Sequence, residues 1–346
     1  MVSRNVPSAE DRVEQIHCKA LFINLLDPAS TVFTYNPLSV DDFIIGLHAA
    51  HVGAENVTVS HAYPPWNYVD HTMSRIARWY ALFEKYPERI QQIFGPGDIE
   101  GAREKGRVGL IFGFQGANQF EDLDLLRVFY KLGLRILAPT YQGRSIFGDG
   151  SGEPRDSGLS ELGEKLVEES NRLGILIDLS HVGRKATMET MELSSVPVIF
   201  SHSNAKHLLE SVRNVDDEQI KAVAEKKGLI GVAAYGPLVR KDRRATIEDV
   251  LDHVDYLVRL IGADFVGFGL DANAKGQTKD MQESFKRRFP EIVGAYSYES
   301  SVEGLTDPTD WKNIVRGLVT RGYSDNEILK MLGENALRVF KRVWRH

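Results

Sequence analysis

One thiol, Cys18, is all that 346 residues contain. A single cysteine excludes a disulfide framework and a thiolate metal site and points to no oxidising compartment. Cys18 itself is expected to be a small buried hydrophobe. Long apolar runs are missing too. No stretch approaches the roughly 18 residues of a membrane-spanning helix, and residues 1–14 lack the apolar segment of a secretory leader, so a cytoplasmic protein with no membrane partner is expected. Positive charge is not in excess. The 42 Lys and Arg are interleaved with 48 Asp and Glu for a net charge of -6, which excludes the broad basic surface of a nucleic-acid binder. Finally, no G-x-G-x-x-G loop follows the first apolar run, which argues against an open dinucleotide-binding sheet.

What is present is a recurring pattern of short runs rich in Val, Ile and Leu, each leading to a helical period or a loop before one. Eight strands are predicted, at Leu21–Leu26, Asn56–Ser60, Arg107–Gly113, Leu134–Pro139, Gly174–Leu179, Val196–Ser201, Leu229–Ala234 and Asp264–Gly269. They are apolar throughout rather than alternating, as strands covered on both faces must be. Helices are predicted at Leu123–Leu132, Leu159–Leu173, Asp216–Lys227 and Thr246–Ile261, each followed by a glycine that stops it. The pattern predicts an α/β fold: one (β/α)8 barrel over residues 1–346, with 272–306 as a long loop after strand eight and closing helices at Trp311–Arg321 and Asp325–Arg345.

Active sites of such barrels lie where the strands end. Strand three runs into Gln115, strand four into Tyr141, strand five into His181, strand six into His202, strand seven into Tyr235 and strand eight into Asp271. Neighbouring strands lie just under 5 Å apart, so His181 and His202 can reach one metal ion through neutral ring nitrogens; the plain alternative is a pair of buried, locally bonded histidines. Asp271 suits the proton acceptor of an attacking water, a metal ligand or, more plainly, a helix cap. Asp178 either orients a histidine from behind or is satisfied by backbone. His61 follows strand two at the same rim. His48 and His51 fall on a predicted helix, and His207, His253 and His346 read as solvated or helix-packed.

The stretches Leu173–Val182 (LGILIDLSHV), Pro197–Ala205 (PVIFSHSNA), Arg213–Ile220 (RNVDDEQI) and Leu332–Arg338 (LGENALR) resemble, in order and spacing, the membrane (renal) dipeptidase family of amidohydrolase-type enzymes. The resemblance implies a (β/α)8 metal hydrolase, a homodimer, that cleaves dipeptides at a two-zinc site. It implies that His181 and His202 hold one zinc, that Asp271 handles the proton of the bridging water, that Arg213 binds the substrate carboxylate, and that Tyr235 lines the pocket.

The chain departs from the family on one half of that site. Leu26 and Pro28 stand where a His-x-Asp motif supplies ligands, with Asp27 between them and expected to point elsewhere. Gln115 replaces the metal-bridging glutamate, and Tyr141 replaces a histidine. The expectation is a dipeptidase-like hydrolase of a small carboxylate-bearing amide or dipeptide with a remodelled site. One divalent ion, Zn2+, would sit on His181 and His202 with Gln115 as a neutral third ligand, and Arg213, Tyr235 and Tyr141 would face the substrate. The alternative is a metal-free protein of the same fold that performs other small-molecule chemistry or only binds a ligand.

Overall fold

Each of the eight apolar runs becomes a strand in the computed structural model, which describes residues 8–28, 39–60, 68–119, 122–272, 287 and 301–345. The strands are β1 (Phe22–Asp27), β2 (Val52–Thr58), β3 (Ile90–Gln92), β4 (Val108–Phe114), β5 (Leu134–Leu137), β6 (Leu176–Ile177), β7 (Ile199–Phe200), β8 (Leu229–Val232) and β9 (Val266–Phe268). Strand β3 was not expected; it is three residues long and pairs with the first half of β4, below β5. Strand β2 begins four residues earlier than its apolar run suggested, and so takes in Glu55. The predicted loop 272–306 falls largely outside the described residues.

All pairings are parallel, in the order β6-β5-β4-β2-β1-β9-β8-β7. The ring closes between β6 and β7 through one bridge, Asp178 to Ile199, where Leu179 N donates to Ile199 O at 2.7 Å. Apolar side chains sort into two layers. Ile23, Leu25, Ala54, Ile111, Ile136, Leu176, Ile199 and Leu229 fill the barrel together with Phe340 and Trp344 from the C-terminal segment. Phe22, Val57, Phe112, Phe200 and Phe268 pack outward beneath the helices. Both layers are dry, which is why the strands read as unbroken apolar runs.

Helix ends follow local chemistry. Ser160 caps Glu161–Leu173 by accepting from Gly163 N, and Gly174 ends it at φ 80°, a left-handed conformation that suits glycine. Asp216 makes a capping box with Gln219 at the start of Asp217–Glu225. After that helix, however, the left-handed position falls on Lys227, at φ 60°, rather than on Gly228. Near the C-terminus a π turn, Lys330–Glu334, interrupts the predicted single helix. A Cβ on Gly333 would stand 1.8 Å from Leu21 O, so only glycine lets this turn close on the start of β1. Asn335 then donates to Ala263 O and Val266 O, which seats the following helix across the floor of the barrel. The mouth at the other end is left to polar side chains.

Candidate active site

The two histidines meet at the mouth. His181, just beyond β6, and His202, just beyond β7, are both buried, and their Nε2 atoms lie 2.8 Å apart. Tyr141 stacks on the His181 ring with centroids 4.1 Å apart. The neighbours of these rings fix where the protons sit. Ser201 Oγ donates to Asp178 Oδ2 at 2.5 Å, which leaves it an acceptor for His202 Nδ1 at 2.6 Å. Neutral His202 therefore carries its proton on Nδ1 and presents a bare Nε2. The proton in the 2.8 Å contact must then come from His181 Nε2. The result is one directional chain from His181 through His202 and Ser201 to Asp178.

Asp178 is suited to end that chain. Ser180 N, Ser201 N and Ser201 Oγ all donate to its carboxylate, and these bonds oppose the burial that pushes its pKa up. Burial holds His181 and His202 well below the ordinary imidazole range, and the nearby Arg213 charge adds to this, so both rings are neutral. Of the two readings the sequence left open for Asp178, the structure shows a mixture: backbone satisfies it, and it orients His202 through Ser201.

Arg213 follows β7 and is 3% exposed. Among the described residues its guanidinium makes one hydrogen bond, Nη2 to His202 O at 3.3 Å. Burial lowers its pKa, while the fields of Tyr141, Asp271, Asp178 and Tyr235 support the charge. Asp271 follows β9 at φ 49°, and His181 sits at φ 71°. Left-handed backbone at residues other than glycine is costly and is held in place by its surroundings. Asp271 keeps part of its surface open to the rim. Desolvation in the mouth nevertheless pushes its carboxyl up to about 7, with Arg213 pulling down and Asp27 pushing up.

The donor set does not fit the family's metal centre. Two ligand nitrogens of one tetrahedral zinc stand about 3.3 Å apart for bonds of roughly 2.0–2.1 Å, wider than the 2.8 Å seen here. To offer both Nε2 lone pairs, His181 would have to move its proton to Nδ1, a buried nitrogen with no hydrogen-bond partner among the described residues. Metal-bound histidines almost always have that second nitrogen held. Among the described residues, moreover, no three His, Cys, Asp or Glu side chains converge as metal ligands. Leu26 is buried and contributes no donor, and Gln115 is a buried neutral amide on the far side of Tyr141 in sequence order around the rim.

Other expectations meet mixed outcomes. Cys18 is exposed, not buried: it lies on the wet face of Ala9–Lys19, with Sγ 3.5 Å from Glu14 Oε1. His253 is helix-packed, accepting from Ala205 N, and burial lowers its pKa to about 4. His207 stacks on Tyr256. His48 is exposed on its helix, whereas His51 lies in the turn after it. His61 and His346 lie outside the described residues. Sequence reasoning missed Ser201, Asn24 and Glu55. For Ser201 the signal was present, since it precedes His202 at a strand end.

Comparison with known proteins agrees with this architecture. Residues 37–294 and 290–345 match the family described as membrane dipeptidase (peptidase family M19). The dipeptidase tcpJ of Claviceps purpurea is 30% identical over 276 residues, 79% of this chain and 60% of that one. Dipeptidase 3 of Mus musculus is 30% identical over 251 residues, 70% of this chain and 46% of that one. The chain thus spans about half to 60% of the length of these curated relatives. Among solved structures, an amidohydrolase from Pseudomonas aeruginosa superposes with a TM-score of 0.84 at 28% identity, covering 96% of this chain and 99% of that one. A metallopeptidase from Rhodobacter sphaeroides, liganded with a phosphinate mimic of the dipeptide L-Ala-D-Ala, shares the fold with a TM-score of 0.80 at 21% identity, covering 94% and 99%. This chain, a parallel (β/α)8 barrel with a histidine pair and a buried arginine at its mouth, belongs to the membrane dipeptidase family, peptidase family M19.

Proposed function

We propose that the chain is a dipeptidase-like hydrolase of a small carboxylate-bearing amide or dipeptide, working without the two-metal centre of its family. The observation that carries this reading is Arg213, a buried guanidinium with one hydrogen bond among the described residues. Arginine offers five donors in a fork that matches a carboxylate, and holding it buried with donors unspent is costly unless a ligand uses them. Asp271 is the base. With its carboxyl at about 7, it is half ionised near neutrality, able to take a proton from water and return it to the leaving amine. His181 and His202 stay neutral and form the wall beside it, with Tyr141 stacked on one ring and Tyr235 facing Arg213.

The test is a panel of dipeptides and N-acyl amino acids, each paired with a C-terminally amidated counterpart, assayed with and without added zinc. Turnover is expected for the free acids alone. Equal turnover of the amidated compounds, or none on the whole panel, overturns the reading. A second reading, one Zn2+ held by His181 and His202 with Gln115, is favoured by the Ser201 brace on His202, the kind of support metal-bound histidines have. Elemental analysis of the purified protein separates the two: one equivalent of zinc selects the second.

A further inference from the structure

The half of the mouth that has lost its metal ligands holds a buried network of its own. Asn24, fully buried on β1, lies between Glu55 on β2 and Phe268 on β9 in the sheet register. Its Nδ2 donates to Glu55 Oε1 at 2.6 Å, and its Oδ1 accepts from Leu270 N at 2.8 Å. One side-chain amide thus ties three strands together. The next residue in the chain, Asp271, donates its own N–H to Leu26 O at 3.1 Å. Both amides that set the backbone at Asp271 are therefore held from β1, one by a side chain and one by a carbonyl.

Glu55 is 0% exposed, and besides Asn24 its carboxyl meets that of Asp27. Two carboxyl groups in contact share a proton, because both cannot be ionised so close together. Burial and the Asp27 charge raise Glu55 well above the ordinary range, so Glu55 holds that proton and donates it to Asp27. The Asp27 charge remains within reach of Asp271.

We infer that Asn24, Glu55 and Asp27 form a positioning unit for Asp271: the Asn24 amide, anchored on Glu55, holds the end of β9 in the left-handed conformation that presents Asp271 to Arg213. The unit replaces, on the remodelled half, the fixing of geometry that bound ions provide elsewhere. Its members touch no substrate, and their role rests on Asp271 being the base. Among the described residues, the charged groups that face Asp271 are Arg213, from the segment after β7, and Asp27, from β1.

The test reads Asp271 directly, without substrate. Carboxyl signals of protein labelled with 13C at aspartate are titrated by NMR, with the Asp271 signal assigned by its loss in Asp271→Asn. Glu55→Gln keeps an acceptor for Asn24 and a donor for Asp27, so the Asp271 midpoint is expected to stay within about 0.2 pH units of the parent. Glu55→Ala and Asn24→Ala release β9 and are expected to move it by more than half a unit. Asp27→Asn removes a facing charge and is expected to lower it by about one unit. An unchanged midpoint in the folded Ala variants overturns the inference, and so does an unchanged midpoint in Asp27→Asn. If the Ala variants do not fold, Glu55→Gln and Asp27→Asn decide. The function proposed above fails separately, if Asp271→Asn keeps full turnover while the titrations behave as expected.

Discussion

The two halves of the barrel mouth have the same scaffold and opposite fates. On the β6–β7 side, His181 and His202 are hydrogen-bonded into a chain that ends on Asp178, and Arg213 donates to the His202 carbonyl. On the β1–β4 side, Leu26, Pro28 and Gln115 offer no ionised ligand, and Asn24, Glu55 and Asp27 have been tied into a closed polar knot. The difference lies in how buried polar groups find partners: one side strings them into a chain, the other pairs them with one another. Buried polar groups are expensive unless they find partners, and here the Asn24 amide and a proton shared with Asp27 supply them to Glu55.

The comparison breaks most decisively at Asp271, which follows β9 and is claimed by both halves. Asp271→Asn is expected to lower kcat by roughly 10²–10⁴-fold, the usual worth of a general base, on whichever free-acid substrate the panel identifies. A loss below about threefold would return the chemistry to the histidine side alone. Next comes Arg213→Lys. It keeps the charge but not the fork, and a charged hydrogen bond of about 1.5–3 kcal/mol corresponds to roughly a 10–100-fold rise in KM with kcat little changed. A smaller effect is expected from Ser201→Ala. Removing one link of the relay should cost about 2–10-fold in kcat/KM, and an NMR experiment on labelled imidazoles should find the His202 tautomer no longer fixed.

The smallest effect concerns stability. Asp271 has its folded pKa raised to about 7 from an unfolded value near 3.9. Between those values the folded state holds a proton that the unfolded state releases, so the contribution is full at low pH and is lost as pH rises through about 7. Melting curves of Asp271→Asn and the parent should accordingly diverge in the variant's favour by roughly one to three degrees at pH 8 and lie closer together at pH 5. Divergence in the opposite sense would mean that Asp271 is ionised throughout.

Much of this was legible from residue order. The eight apolar runs, the glycine stops after Leu132, Leu173 and Ile261, and the polar residues just past each strand placed the barrel and its rim. Legibility ended where partners come from afar in the chain. Glu55 stays hidden because the sequence pattern places the start of β2 at Asn56, and a glutamate before an apolar run reads as its wet edge. Only its parity with Val57 and Val59, both buried, hinted at burial. The 2.8 Å histidine contact and the Tyr141 stack likewise depend on ring orientation, which no spacing encodes. Cys18 went the other way: its type suggested burial, but the apolar stripe of its helix is Val13 and Ile16.

The seam between β6 and β7 has one more consequence. Its strands are two residues each, and the bridge that joins them is Asp178 itself. The stave where this barrel is most thinly hooped thus lies directly under the histidine chain: Asp178 bridges the strands through its main chain, while its carboxylate takes Ser201 N and ends the chain. Breathing of the wall there is tied to the order of the His202 ring. Hydrogen exchange at the amides of Leu179 and Ser201 should therefore quicken in any variant that weakens Asp178, in step with loss of order at His202.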